Sequence, residues 1–244
     1  MAASKQMRSN VGAGYVLHIF TASGVVAGMV ALQAVIDGRL RDAMIWLLIC
    51  QIVDGLDGPL ARKIDIHINA PLIDGHILDL VVDYMTCVAV PVAFLARSGL
   101  LHRRSESIIA TLILITSALW YARTDQETED AWFNGFPSSW NLVVPTFLIV
   151  GATPTTVAVA SIALIITQLT NFKIPHLVRV KEFQKTRIVL AILYLADLTY
   201  LSWNYKEDVS PAINIQLAYL LIFPAVIFIL SIRRTWFYQK LENK

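Results

Sequence analysis

Apolar residues run along almost the whole chain in long blocks, and the breaks between blocks carry most of its charge. A helix needs about 17–25 apolar residues to cross a bilayer at a rise of about 1.5 Å per residue. Eight such segments are expected, near residues 12–35, 42–62, 76–97, 105–121, 139–152, 154–172, 186–203 and 213–232. The fifth is short, and Gly151 to Pro154 leave room for only a tight turn before the sixth, so this pair reads as two crossings or as a re-entrant hairpin. The first block is long, carries His18 and lacks a clear small-residue cleavage site, so it is expected to stay in the mature protein. The pattern predicts one all-α, polytopic transmembrane helical bundle over residues 1–244, with a hairpin at 42–97 and no room for a separate soluble domain.

Composition changes this picture only by firming it. With 56% hydrophobic residues, 16% charged residues and a mean hydropathy of +0.60, the soluble globular class is excluded. Charge then orients the bundle. With the N-terminus in the cytoplasm, Lys5, Arg8, Arg62, Lys63, Arg123, Lys173, Arg179, Lys181, Lys185, Arg187, Arg233, Arg234, Lys240 and Lys244 share one side, leaving six of the twenty basic residues on the other. The positive-inside rule favours that arrangement and an even number of crossings. A net charge of +2 is too small to argue for nucleic acid, and the basic residues are accounted for as topology markers and contacts to anionic membrane lipids. Cys50 and Cys87 lie within apolar blocks and form no disulfide framework.

Four aspartates break the oily pattern. Asp54 and Asp57 lie near the end of the second block, in the run Asp54-Gly55-Leu56-Asp57-Gly58-Pro59-Leu60-Ala61-Arg62; Gly75, Asp79 and Asp83 open the third. An aspartate in mid-membrane costs roughly 2.5–3.5 kcal/mol, so four unpaired ones would cost about 10 kcal/mol and must be paired, hydrated or bound to a cation. Arg62 and Lys63 are the nearest basic residues, and two cations do not balance four anions. Asp54 and Asp57 are three apart and Asp79 and Asp83 four apart, spacings that put each pair on one helix face. A hairpin therefore brings two facing pairs to matching depths. Oxygen donors without a Cys or His cluster suit hard ions such as Mg²⁺ or Mn²⁺, and four carboxylates suffice for two of them. Gly58, Ala61 and Gly75 leave space beside the acids for a flat ligand or a close helix neighbour, and Arg62 is placed to steady a phosphate or to snorkel to the interface.

The run D-x(2)-D-G-x(2)-A-R followed by G-x(3)-D-x(3)-D resembles the motif of the CDP-alcohol phosphatidyltransferases, integral membrane enzymes of phospholipid synthesis, and matches it at all eight positions. The gap of twelve residues between Arg62 and Gly75 is longer than in many members. That gap, the doublet Asp54-Gly55 and Asp57-Gly58, the segment Leu17 to Gly24, and the block Gly135-Phe136-Pro137 with Trp140-Asn141 together resemble one branch, the bacterial phosphatidylcholine synthases.

The resemblance implies a bundle with that family's core, placed in the bacterial inner membrane with its active site toward the cytoplasm, and a homodimer. It implies transfer of the phosphatidyl group from CDP-diacylglycerol to choline, with release of CMP. Asp54, Asp57, Asp79 and Asp83 would then ligate a pair of metal ions, Mn²⁺ or Mg²⁺, and Asp83 would also take the proton of the choline hydroxyl. The nucleotide would meet Asp54, Gly58, Ala61, Arg62, Gly75 and Asp79. A quaternary ammonium calls for aromatic faces. Tyr84, Trp120, Tyr121, Trp132 and Trp140 are the candidates for choline, with Phe133 beside them and an acidic stretch, Asp125 to Asp130, between. Trp and Tyr also mark membrane interfaces. His18 and Thr21, three apart on the first block, face either the nucleotide or a neighbouring helix. Two rival readings differ in substrate and class. One is the same chemistry on glycerol phosphate, inositol phosphate or serine, which the basic stretch 173–187 leaves open. The other is a cation or choline transporter, which would spread its acids along a pathway across several helices.

Overall fold

The computed structural model describes residues 2–206 and 215–238. Each of the eight apolar blocks contains a helix, and five helical segments are long and apolar enough to cross a membrane: Val11–Ile36, Leu40–Lys63, Gly75–Arg97, Gln184–Trp203 and Leu217–Trp236. In chain order the elements are α1 (Ala2–Ile36), α2 (Leu40–Lys63), the short α3 (Ile66–Asn69), α4 (Gly75–Asp83), α5 (Val90–Arg97), α6 (Arg103–Tyr121), α7 (Trp140–Ile149), α8 (Pro154–Gln168), α9 (Gln184–Trp203) and α10 (Ile215–Ile232). Three of the expected blocks fall short of a full apolar span. Helix α7 has only ten residues and α8 fifteen, while α6 opens on Arg103, Arg104 and Glu106 and so begins in polar sequence. Residues 213 and 214, Lys240 and Lys244, used above for spans and charge, lie outside the described residues.

One correction concerns the all-α expectation. Trp132–Asn134 (β1) and Lys173–Pro175 (β2) form a two-stranded antiparallel ribbon, with Phe133 opposite Ile174. Three-residue strands are too short to leave an alternating pattern, and the two lie in segments that sequence alone reads as loops. The ribbon ties the α6–α7 connection to the α8–α9 connection. Trp120 extends the tie by donating its indole N–H to the Asn134 carbonyl at 2.8 Å.

The hairpin is built by close helix approach. A Cβ at Gly24 of α1 would come within 2.8 Å of Val82, and one at Gly28 within 3.1 Å of Thr86, so small residues let α1 press against the returning helix. Inside the bundle, Val35, Met44, Val88, Phe94, Ile113, Trp140 and Leu198 form part of one buried apolar cluster. Outward positions such as Val16, Ile19, Ile77, Val81, Ile192 and Leu193 stay exposed and apolar, the surface expected of a helix that faces lipid.

Between α4 and α5 the helix widens into a π turn over Tyr84–Ala89, where the Val90 N–H reaches back five residues to the Met85 carbonyl. Two residues account for it. Pro91 has no N–H to give Cys87 and its ring crowds that carbonyl. Thr86 adds a hydroxyl bond to the Val82 carbonyl at 3.0 Å. The widened turn begins one residue after Asp83, the setting in which such turns commonly serve a site.

Candidate active site

The connection between α2 and α4 determines how the acids meet. The twelve-residue gap after Arg62 is folded: Asp65 takes a left-handed conformation, α3 follows, and Asn69 closes the loop with a 2.6 Å bond from Nδ2 to the Ile64 carbonyl. Ile66 and Ala70 bury against Leu17 of α1. Asp74 then starts α4, its Oδ1 accepting from the N–H groups of His76 and Ile77 at 3.0 and 3.1 Å. The chain returns along α2 in register with its two aspartates.

Asp54, Asp57 and Asp79 come together. One carboxylate oxygen from each lies within 4.8 Å of the others; Asp57 is buried and the other two half-buried. Asp83 sits one turn along α4, near Asp54, and its Oδ1 is buried with no partner. None of the ion pairs among the described residues includes any of the four. A neutral group meets them instead: Gln51 Nε2 donates to Asp54 Oδ2 at 2.9 Å, and Thr21 of α1 stands near Asp57. A hard divalent cation, with metal–oxygen distances of about 2.0–2.6 Å, fits three such oxygens, and among the described residues the group that converges here is made of carboxylates alone.

The remaining motif residues surround this cluster. His18 lies against Gly75, where a Cβ would meet its Cε1 at 3.2 Å, and Nε2 of this buried imidazole has no partner. Arg62 is exposed and folds toward Gly58, with Nη1 3.5 Å from the position a Cβ would take there. Ala61 is half-buried between them in sequence. Sequence reasoning weighed His18 and Thr21 but overlooked Gln51. The signal was available: an amide one turn before Asp54 in an otherwise apolar stretch.

The aromatic candidates separate into two groups. Tyr84, next to Asp83, meets Tyr121 edge-on at 6.2 Å; Tyr121 meets Trp120 at 5.3 Å, Trp120 meets Phe133 at 5.9 Å, and Phe133 stacks on His176 at 5.3 Å. This row leads from the acids into the ribbon. Trp132 is buried with Ala131 and Val180 and carries Arg234 over its ring at 5.8 Å. Trp140 is fully buried, packed on Phe136, and gives its indole N–H to Ser117 Oγ at 3.2 Å.

The loops around the ribbon are balanced by ion pairs. Arg123 binds Asp125 at 2.8 Å, Arg179 binds Glu127 at 2.6 Å, and Arg234 binds Asp130 at 2.8 Å. Arg187, wholly buried, donates from its guanidinium to the carbonyls of His176 and Val180, and Lys173 Nζ donates to Asn134 Oδ1. Burial, then the charges of Arg179, Arg62 and Arg187, push the His176 imidazole down to about 4, so it is neutral at ordinary pH.

A motif-bearing helical hairpin with its aspartates gathered in this way defines a class, and comparison with known proteins agrees. The family model of the CDP-alcohol phosphatidyltransferases matches residues 16–196, and the chain belongs to that family. Among curated relatives it resembles the phosphatidylcholine synthase of Pseudomonas aeruginosa, 31% identical over 91% of this chain and 92% of that one. The phosphatidylcholine synthase of Borreliella burgdorferi is 30% identical over 93% and 96% of the two chains, and that of Agrobacterium fabrum 34% identical over 74% and 75%.

Proposed function

We propose that this chain is a phosphatidylcholine synthase, which transfers the phosphatidyl group of CDP-diacylglycerol to choline and releases CMP. The observation that carries the reading is the convergence of Asp54, Asp57 and Asp79 to within 4.8 Å, with Asp83 beside Asp54, at the family's motif positions. Similarity to full-length phosphatidylcholine synthases supports the choice of acceptor.

In this reading Asp54, Asp57, Asp79 and Asp83 hold a pair of Mg²⁺ or Mn²⁺ ions. Such ions, when bound, polarise a diphosphate and offset the charge that gathers on a departing phosphate. Gly58, Ala61 and Gly75 leave room for the cytidine beside Asp54 and Asp79, and Arg62 steadies the nucleotide phosphates. Asp83 has an unpartnered buried oxygen, so it is the carboxylate with capacity to accept the proton of the choline hydroxyl. The hydroxyl oxygen ends bonded to the phosphatidyl phosphorus, and the bond from that phosphorus to the cytidylate oxygen breaks, its electron pair leaving with CMP. Tyr84, Tyr121 and Trp120 are the aromatic residues nearest Asp83 whose ring faces would receive the trimethylammonium group. Trp132 and Trp140 contribute by fixing the ribbon and the start of α7, through the contacts given above.

The basic stretch 173–187 argues against a phosphorylated acceptor, because Arg179, Arg187 and Lys173 already donate within the protein. The acids are confined to one hairpin, which argues against a transport pathway. The wider arrangement we propose is one integral domain over residues 1–244 with its catalytic hairpin at 42–97. It is a multi-pass protein of the bacterial inner membrane, faces the cytoplasm with its aspartates and pairs as a homodimer.

The test is an acceptor series. Purified protein with CDP-diacylglycerol and Mn²⁺ releases CMP when choline is added, and at least about tenfold less with serine, inositol or glycerol 3-phosphate. Release that is equal for all acceptors, or greatest with one of the others, overturns the assignment of choline.

A further inference from the structure

Trp140 and Asn141 belong to the block that sequence analysis singled out and that the reaction above does not use. Asn141 lies in the first turn of α7 and is fully buried. Its Nδ2 donates to Gln51 Oε1 at 2.9 Å, across to α2, and Gln51 Nε2 donates to Asp54 Oδ2 at the same distance. The chain of amides thus begins in a helix that carries none of the four aspartates and ends on one of them.

The start of α7 is itself held by a buried polar cluster. The Trp140 indole and Gln168 Nε2 both donate to Ser117 Oγ, at 3.2 and 3.1 Å; Gln168 Nε2 also donates to Ser138 Oγ at 2.7 Å, and Thr116 Oγ1 donates to Gln168 Oε1 at 2.9 Å. Helices α6 and α8 therefore fix where Asn141 stands. In a low-dielectric setting each of these bonds is costly to leave unmade.

Direction matters in this chain. An amide has one acceptor end and one donor end, so an N–H arriving from Asn141 commits the Gln51 oxygen to that side and leaves its NH₂ facing Asp54. The carboxylate receives a charge-assisted hydrogen bond on Oδ2, which holds it in place while its remaining lone pairs stay available. We infer that Gln51 and Asn141 are positioning residues: they form a directional amide relay that orients Asp54 for cation binding and makes the metal site depend on the placement of α7.

This inference rests on the metal-site part of the proposed function and is independent of the acceptor. Groups that orient a metal ligand typically change metal affinity by about 10–100-fold when removed. The experiment measures Mn²⁺ affinity by electron paramagnetic resonance on the full chain in detergent. Gln51→Met is expected to weaken Mn²⁺ binding by about 10–100-fold and Asn141→Leu by about tenfold, with the double variant no weaker than Gln51→Met to within about a factor of two. Asn141→Asp keeps the size but reverses the polarity of the link, and is expected to lose at least as much affinity as Asn141→Leu. Gln51→Asn, shorter by one methylene, provides the same reading if the apolar variants do not fold, with an expected loss of about tenfold.

Unchanged Mn²⁺ affinity in folded Asn141→Leu and Asn141→Asp, with only a lowered Tm, overturns the relay and leaves a packing role. Losses that multiply in the double variant also overturn it, because they make the two residues independent. If the wild-type chain binds Mn²⁺ and the relay variants weaken it, while choline releases no CMP, the assigned reaction fails and the relay stands.

Discussion

Two groups of acidic residues receive opposite treatment in this molecule. Between α6 and α7, Asp125, Glu127 and Asp130 each have an arginine within 2.8 Å. In the hairpin of α2 and α4, Asp54, Asp57, Asp79 and Asp83 have the Gln51 amide, on Asp54, and one another. The loop acids are neutralised by the fold, and their role is finished once the loops are in place. The hairpin acids are gathered where repulsion is greatest, with no basic partner among the described residues, an arrangement that could hold a cation. Proximity of like charges in an apolar setting, without a basic partner, separates a functional carboxylate from a structural one more clearly than residue type does.

The sharpest way to break this contrast is to remove the acid assigned as base. Asp83→Asn is expected to lower choline-dependent CMP release by about 10³-fold while nucleotide binding stays within a few-fold, as read by turnover and by calorimetry with CDP. A smaller effect is expected beside it. Tyr121→Leu is expected to raise the KM for choline by about tenfold with little change in kcat, the scale of one cation–π contact. If KM is unmoved, choline does not meet this row of rings.

Much of the hairpin was legible from residue spacing. Asp54, Asp57 and Asp79 meet as the three- and four-residue intervals require, and Gly75 opens α4 as expected. The Gln51–Asn141 link was not, because it joins residues ninety positions apart and leaves no periodic trace. Trp140, a candidate for the choline pocket from sequence, is fully buried, with Ser117 satisfying its N–H. Hydropathy alone placed α6 among the spans although Arg103, Arg104 and Glu106 open it, and the turn at Gly151 to Pro154 separates α7 and α8, of ten and fifteen residues.

Acid titration sharpens the loop side of the comparison. An unfolded histidine titrates near about 6.5, whereas folding holds His176 down to about 4, so between these values the unfolded chain binds the extra proton. Stability from this group is complete above pH 6.5 and falls as the pH drops toward 4. In detergent, His176→Phe is expected to flatten the decline of Tm over that interval relative to wild type; an equal decline in both would assign the acid sensitivity elsewhere.

The smallest expected effect lies in the paired acids. Glu127→Gln breaks its pair with Arg179, in which the arginine is half exposed, and is expected to cost under about 1 kcal/mol of stability with CMP release unchanged. A large loss of turnover would make the loop acids part of the site and erase the distinction drawn between the two groups.

The central claim is that the four hairpin aspartates form a cation site, and Mn²⁺ binding to the purified chain tests it most directly. Electron paramagnetic resonance is expected to find about two Mn²⁺ per wild-type chain and an affinity at least about tenfold lower in Asp57→Asn. Absence of specific Mn²⁺ binding by the wild type, or undiminished binding by Asp57→Asn, would contradict it.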